Sequence, residues 1–193
     1  GRFILEERPD IVVNIGDMAD MPSLSSYDKG TRGFEGRRYN RDIESVKDAN
    51  EKLWKEVNSY NKVQRSHGHK TYRLRKILTL GNHEDRITRA TNSDAKLEGT
   101  ITLDDLKYET FGWKVHPFLK PVILDEIAFC HYFPSGTLGR PTSSARAILN
   151  KMHMSCIAGH LQGRDIAYAK RADGRQITAI IAGSCYLHDE DYL

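Results

Sequence analysis

Short apolar runs that end at a glycine and give way to clustered polar side chains recur along this chain. Residues 11–15, "IVVNI", are β-branched and closed by Gly16, which predicts a strand buried on both faces. Residues 77–80 before Gly81 and 155–158 before Gly159 predict two more. Residues 113–119, 122–124 and 127–133 read as further strands, the last two joined by a tight turn at Asp125 and Glu126. Helical spacing lies between them. Ile43, Val46, Ala49, Leu53, Val57 and Tyr60 recur every three or four positions and predict one amphipathic helix over 41–63, its charged face in water. "TLDDLKYETFG" predicts a short helix with Thr102 as N-cap and Asp104 and Asp105 at its positive end. Residues 143–154 predict another helix, and residues 3–8 before Pro9 read as the tail of one. "IAYAKRADGRQITAIIAG" predicts a hairpin turning at Asp173-Gly174.

Strands alternating with helices, without internal repeats, point to an α/β fold in a single domain over 1–193. Two segments remain as loops. Residues 17–39 are rich in Gly, Ser, Pro and Asp, and "HYFPSGTLGRPTSS" follows His131 as a Gly-Pro-Ser segment suited to the rim of a pocket.

Composition narrows the picture modestly. Lys and Arg exceed Asp and Glu by 29 − 26 = 3, which suits a phosphate-bearing partner but not a chain that coats nucleic acid by charge alone. The densest basic stretch, "KVQRSHGHKTYRLRK", reads as an exposed connector, with His67 and His69 as solvated imidazoles. Cys130, Cys156 and Cys185 are odd in number, lack CxxC spacing, and read as reduced core thiols. With no membrane-length apolar run and no signal-peptide layout, a cytoplasmic protein without membrane contact is expected.

The polar clusters carry the chemistry. "GDMAD", "GNHED", "CHYF" and "AGHLQ" each follow or end a predicted strand, and the carboxyl ends of strands share one rim of an α/β sheet. Asp17, Asp20, Asn82, His83, Glu84, His131, His160 and Gln162 are thereby expected to converge. Carboxylate, amide and imidazole without thiolate suit Mn²⁺, Fe or Zn²⁺ in a catalytic centre rather than a structural zinc site. Glu84 and Asp85 read as caps of the helix that follows, and His153 as packed among apolar neighbours.

In order and spacing, "GDMAD", "GNHE", His131 and Gly159-His160 resemble the blocks of the calcineurin-like metallophosphoesterase superfamily, and the wider chain is similar to phage-encoded members, for which host-cell cytoplasm would be the compartment. The resemblance implies a four-layer α-β-β-α sandwich with two divalent metals, most simply Mn²⁺, with Fe, Zn²⁺ or Ni²⁺ as alternatives. It implies that Asp17 bridges the metals and that Asn82, His131 and His160 complete the second. It implies that His83, oriented by Asp20, is the general acid in hydrolysis by a metal-activated hydroxide.

Two departures stand out. No Asp-x-His block precedes residue 11, so the first strand and its ligands are expected upstream of Gly1; the alternative is a site holding only the second metal. The last block reads "GHLQ", placing the amide of Gln162 where a second His is usual. Met21 with Pro22, and Leu80, stand where protein phosphatases of the superfamily carry arginines, so a phosphodiesterase acting on nucleotide or nucleic acid is expected. Arg86, Arg89 and Arg140 are candidate substrate contacts. The rival reading is a catalytically impaired member serving as a binding or scaffold module.

Overall fold

The computed structural model describes residues 1–27 and 29–184; Cys185 and His188 lie outside the described residues. The chain is mixed α/β and comprises two compact units, Gly1–His116 and the segment from Pro117 onward. Among the described residues no helix is long and apolar enough to cross a membrane.

The first unit contains α1 (Arg2–Glu7), β1 (Ile11–Asn14), α2 (Tyr39–Ser66), β2 (Arg75–Thr79), α3 (Asp85–Ser93) and β3 (Trp113–His116), with short 3-10 turns in the connections. Its strands form a parallel sheet in the order β1-β2-β3. Burial follows that order. Ile77, Leu78 and Thr79 of the central strand are buried, whereas every residue of β1 is half-buried, because β1 is an edge of this sheet rather than a strand covered on both sides. The third strand is shorter than the 113–119 predicted, since Pro117 cannot donate to a ladder.

Helix α2 is longer than the 41–63 predicted; Val46 and Val57 of the predicted stripe are buried, Ile43, Leu53 and Tyr60 are half-buried, and Asp42, Asn50 and Trp54 join the buried face. Ala49 is exposed. Polar residues enter the stripe because each has a partner. The Ser23 N–H donates to Asp42 Oδ2 at 3.0 Å, Trp113 Nε1 to Asn50 Oδ1 at 2.7 Å, and Asn50 Nδ2 to the Val46 carbonyl at 3.0 Å. Satisfied in this way, a buried polar group costs little. Trp54 and Trp113 meet edge to face at 5.3 Å between ring centres, and Lys76 Nζ lies 3.7 Å above the Trp54 ring. His67 and His69 are both exposed, as expected.

The second unit contains β4 (Val122–Leu124), β5 (Ile127–Cys130), β6 (Pro134–Ser135), β7 (Arg140–Pro141), α4 (Ala145–Met152), β8 (Ser155–Ala158), β9 (Asp165–Lys170) and β10 (Gln176–Ile181). Its main sheet runs β4-β5-β8-β10-β9, with β5, β8 and β10 parallel and the outer pairs antiparallel. Asp125 and Glu126 both have positive φ, the geometry of a two-residue hairpin turn. Helix α4 begins at Ser144, whose side chain accepts from the Ala147 N–H, and packs on β8, β9 and β10. Small residues at Ala128, Ala158, Ala167 and Ala179 make room for Phe133, Ile148, Leu149 and Ile181 in the core. Cys130 and Cys156 are buried free thiols, as expected. The predicted loop 131–144 carries a small hairpin of its own, β6 against β7.

Candidate functional site

The candidate residues divide between the units. In the first, β1 ends at Asn14, whose Oδ1 accepts from the Gly16 N–H at 2.8 Å and starts a turn. Gly16 and then Asp17 have positive φ, 98° and 57°. An aspartate tolerates that region better than most side chains, and here it swings its carboxylate off the line of the strand. Gly81, after β2, meets it closely. A Cβ built on Gly81 would lie 2.1 Å from Asp17 Oδ1 and 2.5 Å from Asp17 N. Glycine is required there by contact, since any side chain would occupy the place of the carboxylate.

A buried carboxylate gathers these loops. Glu84 is fully buried and accepts from the main-chain N–H of Asp17 (3.0 Å), Ala19 (3.0 Å) and Gly81 (2.8 Å) and from the Tyr108 hydroxyl (2.9 Å). Burial and the neighbouring Glu84 push the Tyr108 hydroxyl well above its ordinary pKa, which keeps it a donor. Glu84 is therefore structural, as predicted, but by a different route: it sits at the N-cap of α3 without capping it through its side chain.

Beside this clamp stands an oriented imidazole. His83 N–H donates to Asp17 Oδ1 at 3.0 Å, and its ring nitrogen Nδ1 lies 2.7 Å from Asp20 Oδ1. The hydrogen bond from His83 holds the Asp20 carboxyl below its usual pKa, against the opposing effect of burial. With Nδ1 committed to Asp20, Nε2 is the nitrogen left for proton transfer, and it lies 4.0 Å from Asp17 Oδ2. Arg86 supports Asp20 from behind, donating to the Asp20 carbonyl at 2.7 Å and the Met21 carbonyl at 3.3 Å. Arg89 donates to the carbonyl of Asn82 at 2.8 Å and pairs with Asp85 at 3.4 Å.

In the second unit, His131 follows β5 and is buried, while His160 follows β8 with a positive φ of 66° and is exposed. Parallel pairing of Cys130 with Ala158 brings the two strand ends level, and the Gly159 N–H donates to the His131 carbonyl at 2.9 Å. Their rings meet with His131 Nε2 3.2 Å from His160 Nδ1. Ligand bonds of about 2.0–2.1 Å at a tetrahedral angle would set two imidazole nitrogens about 3.4 Å apart, so this pair suits one cation. Tyr132 packs on His160 with 4.8 Å between ring centres, and Phe118 on Tyr132 at 5.6 Å.

Compared with protein-family profiles, curated proteins and solved structures, the chain matches none.

The remaining candidates are placed less tightly. Gln162 is exposed, and its main-chain carbonyl accepts from the Ser184 N–H at 2.9 Å and hydroxyl at 3.2 Å. Arg140 is exposed in β7, in register with Ser135. His153 corrects the expectation of a packed side chain: it is exposed, because a left-handed residue at the end of α4 leaves the helix face. His116 is partly buried, and burial followed by the nearby Lys114 lowers its pKa. Sequence reasoning missed the acceptor role of Glu84, the contribution of Tyr108 and the aromatic support from Phe118 and Tyr132. The one available signal was a carboxylate directly after "GNH", before an apolar helix.

Proposed function

We propose that the protein is a metal-dependent phosphoesterase of the calcineurin-like type, acting on a phosphodiester of a nucleotide or nucleic acid. The observation that carries the reading is the His83–Asp20 pair, 2.7 Å apart, with the other imidazole nitrogen facing the Asp17 carboxylate. A binding module has no use for an imidazole whose tautomer is set. In this reading Asp17 and Asn82 are candidate ligands in the first unit, and His131 and His160 are candidate ligands in the second, for divalent cations, with Mn²⁺ first and Fe, Zn²⁺ or Ni²⁺ as alternatives. Gln162 offers a neutral amide oxygen. The four-layer sandwich belongs to the same reading. The donor set fits such ions: a carboxylate turned out by left-handed backbone, and two imidazoles whose nitrogens are 3.2 Å apart.

Bound to these residues, divalent cations would supply neutralisation of the phosphate charge and a lowered pKa for a bound water. The rest falls to the chain. His83 delivers a proton from Nε2 to the leaving oxygen, Asp20 keeps Nδ1 protonated and the ring in place, and Arg86 holds the Asp20 main chain. Arg140 remains a candidate contact to substrate.

The test is hydrolysis of a chromogenic phosphodiester and the matching monoester with and without Mn²⁺. Removing a general acid costs roughly 10²- to 10⁴-fold, so His83→Ala should lower kcat by that factor, with Asp20→Asn lowering it less. Turnover indifferent to both Mn²⁺ and His83 would sink the proposal, and no turnover under either condition would favour a scaffold or binding module in its place.

A further inference from the structure

A cleft of about 450 Å³ lies in the first unit, between the 22–34 segment and α3. Arg86, Arg89, Ala90 and Ser93 line it, the i, i+3, i+4, i+7 face of the helix. Lys29, Tyr27 and Ser23 line the opposite side. Three cations thus face one space, and among the described residues no carboxylate lines it. Each guanidinium is braced on its far side, Arg86 through Nη1 to the Asp20 carbonyl and Arg89 through Nη2 to the Asn82 carbonyl. Arg86 also lies 3.6 Å from the Asp20 carboxylate and Arg89 3.4 Å from that of Asp85, neither of which lines the cleft.

Two further features point to a ligand. Ser23 Oγ is buried and has no hydrogen-bond partner among the described residues, although it sits on the wall of the cleft. A buried hydroxyl without a partner is uncommon and marks a place for a polar group. Tyr27 presents a phenol ring that is 87% exposed at the mouth. Basic groups that track a phosphate beside an aromatic face that stacks a base are how single nucleotides of an unpaired strand are held.

We propose that this cleft binds a nucleotide adjoining the reacting phosphate, with its own phosphate on Arg86, Arg89 and Lys29 and its base on Tyr27. The inference rests on the phosphoesterase reading only for the nearness of the cleft to the reacting phosphate: Arg86 touches both the cleft and the main chain of Asp20, the residue that orients His83. It narrows the substrate class to an unpaired strand or an oligonucleotide, in which a second phosphate flanks the one attacked.

Calorimetric titration of the full chain in EDTA with adenosine 3′,5′-bisphosphate, and separately with pyrophosphate, tests it without turnover. The bisphosphate should bind tighter than pyrophosphate. Loss of one stacked base costs on the order of 10-fold in affinity, so Tyr27→Ala should weaken the bisphosphate by that factor and leave pyrophosphate unchanged. Lys29→Ala and Arg89→Gln should weaken both ligands several-fold. Lys29 and Tyr27 are exposed, so their variants fold. Equal affinity for the two ligands, or affinity unmoved by Tyr27→Ala and Lys29→Ala, would overturn the proposal. Binding in EDTA with the expected dependence upholds the cleft even where the Mn²⁺ assay shows no hydrolysis, an outcome that would count against the phosphoesterase reading alone.

Discussion

In the first unit the loop ends are tied to a buried carboxylate by four hydrogen bonds; in the second they are held by strand pairing and ring packing. The two rims present similar side chains by different forces. Hydrogen bonds to a buried acceptor set positions in three dimensions and fail abruptly when the acceptor is lost, because each donor is then stranded. Stacked rings tolerate small shifts. Positioning of Asp17 and His83 should therefore depend steeply on single atoms, and positioning of His131 and His160 should not.

The largest break in that contrast comes from Glu84→Ala. It leaves the N–H groups of Asp17, Ala19 and Gly81 and the Tyr108 hydroxyl without their acceptor. Losing a buried charged partner of this kind costs about 3–5 kcal/mol. Urea unfolding measures the loss, and amide hydrogen exchange should quicken at residues 17, 19 and 81. A cost below about 1 kcal/mol, smaller than one stranded buried donor, would mean that the carboxylate is not what gathers the loops.

A second substitution pair compares the rims directly. Gly81→Ala forces a Cβ to within 2.1 Å of Asp17 Oδ1, whereas at Gly163, three residues past His160, an added Cβ meets nothing within 4 Å. Forced overpacking costs about 1–3 kcal/mol. A surface change away from such contacts stays within about 0.5 kcal/mol. Gly81→Ala should therefore lower the unfolding midpoint and perturb the His83 ring resonances, while Gly163→Ala should do neither. Equal effects at the two glycines would erase the distinction.

What was legible in the sequence follows the same division. Strands ending at Gly16, Gly81 and Gly159 could be read because apolar runs and glycine are local signals. Asp20 lies 2.7 Å from His83, a contact between distant loops that no local pattern specifies. Glu84 could not be read. Its partners Asp17 and Ala19 lie 67 and 65 residues away, and a glutamate after a turn looks like a cap. The stripe of α2 is legible only in part for a related reason: Val46 and Val57 follow the apolar spacing, but Asp42 and Asn50 count as surface until Ser23 and Trp113 are seen to satisfy them. Polar groups become interior residues through distant partners, and periodicity carries no record of those.

The smallest effect sharpens the contrast between the two cores. Four donors surround the buried acid of the first unit, whereas the buried thiols of the second lie among apolar residues of β5 and β8. Burial pushes Cys130 up to about 11 and Cys156 up to about 12, the latter also raised by the adjacent Cys130. An acid whose folded pKa lies above its unfolded value of 9.0 favours the folded state fully below that value. As pH rises through 9 towards 11, the unfolded chain loses its thiol protons first and stability falls, by at most about 1.4 kcal/mol per pH unit per thiol. Buried tyrosines titrate in the same direction, so the informative quantity is a difference. The unfolding midpoint of the Cys130→Ala, Cys156→Ala variant should fall less steeply between pH 9 and 11 than that of the parent protein, and thiol labelling of the folded parent at pH 8 should be slow. Parallel slopes with fast labelling would show that water reaches this core, and the second rim would then rest on a looser base than its ring packing implies.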